Sequence, residues 1–205
     1  MKPFWIVFLF MFILGSCLSS DKEISEPTES EELIVGETGN NMASKLMVTL
    51  SSELSAAIQR EGLVEAIRFC NIRALPLTEM LTISSEFPVE VKRISTKYRN
   101  QLNAPDKYEV VALNYFNMLT REGKQLPPEF IQKITLDDET FFYFYRPLVM
   151  AGLCIQCHGN PAEMDPDLVS VLEEKYPDDK ALYYKEGDFR GLIRVKVKMT
   201  ELDLE

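Results

Sequence analysis

The residues of this chain best suited to chemistry are Cys154, Cys157 and His158, in the run Leu153-Cys154-Ile155-Gln156-Cys157-His158-Gly159. The pattern is C-x-x-C-H, the attachment site of a c-type haem. Each thiol can add across one porphyrin vinyl group and form a thioether. Two intervening residues let both sulfurs reach one edge of the ring, and the histidine after the second cysteine can then bind iron from the proximal side. His158 is the only histidine in 205 residues, so the single imidazole lies where haem c needs it. Three other chemistries use cysteines at this spacing: a thioredoxin-like dithiol, half of a structural zinc site and a disulfide. The adjacent histidine disfavours the first and third. Zinc would need Cys70 as well, and neighbouring Cys and His ligands crowd one tetrahedral ion. The expected cofactor is one covalent haem c.

With His158 on iron, no Ser/His/Asp set is available, so a substrate enzyme is not expected. A second axial ligand cannot be histidine. Cys70, one of nine methionines (Met80 and Met150 by position) and an open site remain. Met/His ligation raises a haem potential, whereas a thiolate donates charge to ferric iron and lowers it. Arg93 or Arg99 is expected on a haem propionate. Arg93 follows Val89 and Val91 on the apolar face of a strand, where a lone charge is costly and a propionate would be a charge-assisted partner.

The elements that must position these residues begin after an export signal. Lys2 precedes a continuous apolar run from Phe4 to Leu14, too short to span a bilayer. The run ends in Leu14-Gly15-Ser16-Cys17, and small residues before a cysteine resemble a bacterial lipoprotein signal. That likeness implies cleavage after residue 16 and lipid on Cys17. A plain secretory signal or an uncleaved anchor would also export the chain, and bacteria attach haem c outside the cytoplasm. Residues 17–40 read as an acidic flexible tether. Asp21 to Glu37 holds seven acids against one base, Lys22, within a total net charge of −10. That balance excludes a nucleic-acid partner.

Residues 41–205 form the domain. Leu46, Leu50, Leu54 and Ile58 recur every four residues and predict a helix from Met42 to about Arg60. Leu63, Ile67, Cys70, Ala74, Leu77 and Leu81 predict a second, with Cys70 inward and Pro76 kinking or ending it. A strand over 87–95, a loop over 96–106 and a helix over 107–122 follow. Strands over 130–135 and 140–149 lead into the haem motif, and the run Phe141-Phe142-Tyr143-Phe144-Tyr145 is too apolar to expose both faces. Asp165 or Asp167 caps a short helix. The last strand, 189–199, puts Ile193, Val195, Val197 and Met199 on one face and Arg194, Lys196 and Lys198 on the other. The order is α+β rather than alternating βαβ.

Several segments together resemble the PAS-like c-type haem domain family first described in cyanobacteria and long catalogued as a domain of unknown function. They are residues 66–74, 93–106, Tyr145-Arg146-Pro147-Leu148, 154–159, 176–181 and 187–191. The resemblance runs from about Leu46 to Met199. It implies a PAS-like antiparallel sheet flanked by helices, and that the cysteine matching Cys70 ligates iron opposite the histidine. Gln101 departs from the pattern, since the family usually has Pro after Arg-Asn.

Three functions are compatible with these residues. The first is a redox-active haem protein that carries or senses electrons in the cell envelope, lipid-anchored and facing the periplasm or on the outer membrane. The second is a haem-based gas sensor. The third is a zinc-stabilised, non-haem binding lipoprotein. The first two require a redox partner protein or a membrane signalling partner.

Overall fold

The computed structural model describes residues 23–82, 88–137 and 139–199. The lipidation residue expected at Cys17, the signal before it and the Cys70 side chain lie outside the described residues. Among the described residues no helix is long and apolar enough to cross a membrane.

Five antiparallel strands form an open sheet in the order β1-β3-β4-β5-β2. The strands are β1 Ile24–Ser25, β2 Val89–Ile94, β3 Phe130–Leu136, β4 Glu139–Val149 and β5 Phe189–Val197. The aromatic run lies in central β4, where side chains alternate between two buried faces. Phe142 and Phe144 join Val89, Val91, Ile193, Val195 and Val197 beneath a long helix, α1 Glu29–Thr82. Phe141, Tyr143 and Tyr145 join Ile94, Ile134 and Leu192 beneath α2 Lys107–Arg121. The fold is therefore α+β, a PAS-like open sheet covered by helices.

Helix α1 corrects the tether expectation, because residues 29–40 are helical and β1 pairs with β3. Glu29, Glu32 and Glu37 point to solvent. Val35, Met42, Ala43 and Leu46 are buried on the sheet at helical spacing. Glu31 is buried but ion-paired, with Lys133 Nζ 2.6 Å away. Gly39 is required here, since a Cβ would enter the Phe144 ring. Gly62 interrupts the helix with φ +81° and ψ 177°, a conformation natural only to glycine. It divides α1 into arms 29–61 and 63–82, close to the expected boundary between two helices. Pro76 does not end the second arm, which continues to Thr82.

On the opposite face, Asp106 and Glu109 form a reciprocal capping box at the start of α2. Glu109 is fully buried and accepts hydrogen bonds from Arg194 Nε and Lys92 Nζ, each at 2.9 Å. Arg194 is 3% exposed. It occupies the expected face of β5, but α2 covers that face and the carboxylate supplies the missing partner.

Candidate functional site

Strand β4 leads through Met150 and Ala151 into α3 Gly152–His158. Met150 is fixed on both sides: its N–H donates to Asp188 O at 2.9 Å, and its carbonyl accepts from Gly187 N at 2.8 Å. Cys154 and Cys157, three residues apart on α3, share one side of the helix. Both line a cleft that also receives His158. They are not disulfide-bonded.

Both arms of α1 wall this cleft. Leu50, Leu54 and Ile58 come from the first, and Leu63, Ala66, Ile67, Asn71 and Ala74 from the second. This part encloses about 220 Å³. A second lobe of about 250 Å³ shares Leu50, Leu54, Arg93, Asn103, Cys154, His158 and Arg190 with it. Position 70 falls between cleft-lining residues 67 and 71, one turn from 66 and 74. Met80 is 62% exposed and does not line the cleft. Met150 is buried against Cys154 and Ile155 and borders the second lobe.

The imidazole of His158 is oriented by the loop after α4 Pro166–Lys175. Its Nδ1 lies 2.7 Å from the carbonyl oxygen of Ala181. A carbonyl only accepts, so Nδ1 must carry the proton and Nε2 of the neutral ring keeps its lone pair. Burial pushes the imidazole pKa well below its ordinary value, and the guanidinium groups of Arg99 and Arg190 lower it further. Tyr184 meets the ring edge-on, with centroids 6.4 Å apart.

Arg93, Arg99 and Arg190 all line the cleft. Arg93 stays on the face of Val89 and Val91, opposite Ile193 of β5. Arg99 donates from Nε to Asp179 Oδ2 at 2.9 Å and from Nη2 to Cys157 O at 2.5 Å. Arg190 donates to Lys97 O at 2.9 Å and stacks over Tyr184. Arg190 lies in the segment 187–191 that resembles the family, but sequence reasoning gave it no role of its own. Three guanidinium groups therefore line one cleft in a chain of net charge −10.

Among the described residues, no three Cys, His, Asp or Glu side chains converge as a metal site requires. An apolar cleft with paired thiols, one imidazole with a lone pair and an arginine-lined wall sits in an α+β domain of PAS-like class, an open antiparallel sheet covered by helices. A model of the Tll0287-like family matches residues 22–198, and the chain belongs to that family. No curated protein matches the sequence. Among solved structures, the crystal structure of the cyanobacterial heme-protein Tll0287 is similar, with 19% identity and a TM-score of 0.57. The match covers 85% of this chain and 98% of that one.

Proposed function

We propose that this protein is an exported, membrane-anchored c-type haem protein that acts in electron transfer or redox sensing. The observation that carries the reading is the 2.7 Å contact between His158 Nδ1 and the Ala181 carbonyl oxygen. Its Nδ1–H is spent on Ala181 O, which leaves Nε2 as a metal ligand in a cleft shared with both cysteines. The relationship to a protein described as a heme-protein supports the same cofactor.

The residues present fit the group. Cys154 and Cys157 would hold it by thioethers and His158 through Nε2. Cys70, in the second arm of α1, would supply a second ligand to the iron. Arg93 or Arg99, with Arg190 on the same cleft wall, would face the propionates. When bound, haem supplies a one-electron couple. The chain holds the imidazole neutral, excludes water with Leu50, Leu54 and Ile67, and balances anionic charge with arginine. The protein is not an enzyme on this reading. Lipid on Cys17 would hold it in the cell envelope, where it would meet a redox partner or a membrane signalling partner.

The test is an optical spectrum of protein matured in a host that assembles haem c. A c-type reduced spectrum supports the proposal. A colourless protein, with thiols titrating as free or binding zinc, rejects it.

A further inference from the structure

We infer that Arg99 and Asp179 are a positioning pair that fixes the His158 imidazole through the Ala181 backbone. Four hydrogen bonds and one peptide link form a closed circuit. Arg99 Nη2 donates to Cys157 O at 2.5 Å, and Arg99 Nε donates to Asp179 Oδ2 at 2.9 Å. Asp179 Oδ1 accepts from Ala181 N at 2.7 Å. The Ala181 carbonyl accepts from His158 Nδ1 at 2.7 Å, and His158 is covalently joined to Cys157. The side chains of Arg99 and Asp179 are 11% and 6% exposed, so water screens the pair little.

Two further bonds hold the residues flanking Ala181. Lys180 N donates to Tyr98 O at 3.1 Å, and Lys97 Nζ donates to Leu182 O at 2.5 Å. The 97–99 segment therefore holds the 179–182 segment at three successive points on both sides of the imidazole acceptor. One guanidinium serves both sides of the ring, its fork aimed at the histidine's own chain and at the loop that faces it. A lysine ammonium has no such fork. Without the clamp, Ala181 O could turn away and the ring could take the Nε2–H tautomer, which has no lone pair for a metal.

The metal-facing consequence rests on the haem proposal, but the positioning does not. The test is hydrogen–deuterium exchange of the His158 Nδ1–H by NMR, with the Val195 amide as an internal reference for global opening. It uses the uniformly ¹⁵N-labelled full chain as purified, with or without haem, in which His158 is the only histidine. A colourless sample thus defeats the haem reading while leaving this measurement intact. Each substitution removes a charge-assisted hydrogen bond of the circuit, so Asp179→Asn and Arg99→Lys should each speed exchange at His158 by roughly tenfold or more. The Val195 amide should change far less. The double variant should match either single variant, because both break one circuit. Equal acceleration at His158 and Val195, additive effects, or no change at His158 would overturn the pairing.

Discussion

His158 Nδ1 and the carbonyl oxygen of Ala181 stand 2.7 Å apart across 23 residues of chain. That contact joins the motif helix α3 to the loop before β5 and sets which ring nitrogen faces the cleft. Because the acceptor is a backbone atom, replacing Ala181 by another small residue should preserve it. Replacing His158 by Ala should leave haem covalently attached through Cys154 and Cys157 but without its proximal ligand. The ferric optical and EPR spectra should then lose the unaltered protein's ligand field. Unchanged spectra would remove His158 from the iron.

Arg93→Ala and Arg190→Ala should each lower the haem midpoint potential. The sign follows from charge: a cation near the iron favours the reduced form, which carries one positive charge fewer. The expected shift of roughly 20–60 mV corresponds to a tenfold change or less in a one-electron equilibrium. Redox titration checks the shift, and unaltered potentials in both variants would deny the propionate assignment.

Cys70→Ser should raise the potential and convert much of the ferric haem to high-spin. A thiolate donates charge that stabilises ferric iron, and coordination to a metal favours that thiolate. EPR of the oxidised variant reads the outcome. A spectrum identical to the parent's would assign the second ligand elsewhere, with methionine first in line.

Glu109→Gln should destabilise the fold without touching the cleft. Glu109 is buried between Arg194 Nε and Lys92 Nζ, and removing one member of a buried pair costs about 3–5 kcal/mol. A urea melt should show a lower midpoint with an unchanged slope. An unshifted midpoint would mean that the network adds nothing to stability.

Acid should weaken the seat of α1. Burial raises the Glu31 pKa, but Lys133 and Thr28 outweigh it and hold the carboxyl below its ordinary value of 4.5. A depressed folded pKa contributes stability that is fully present above 4.5 and lost as pH falls through the folded value. Glu31→Gln should therefore flatten the acid limb of stability against pH below 4.5. A limb equally steep in the variant would place the acid sensitivity at other carboxylates.

Much of this arrangement was legible in the residues. The spacing of Cys154, Cys157 and His158 singled them out together, and they line one cleft. The α1 stripe and the alternation of β5 were visible because each repeats the period of its element. The acidic run before Asn40 misled, since composition counts charges without asking where they point. Its helix is written in Glu31, Val35, Gly39, Met42 and Leu46, which include a glycine and a paired acid rather than a plain apolar stripe. Strand β1, two residues long, has no period to read. The alternation put Arg194 on the face opposite Ile193 and Val195 but could not show its burial, because its partner, Glu109, is 85 residues away. The Ala181 acceptor left no trace, because a backbone carbonyl carries no residue identity.

Covalent haem on Cys154 and Cys157 is tested most directly by the intact mass of the denatured chain, matured in a host with haem-c assembly. One haem should remain attached after denaturation and vanish when both cysteines are replaced by Ser. An apo mass from the unaltered chain, or a zinc adduct under native conditions, would contradict it.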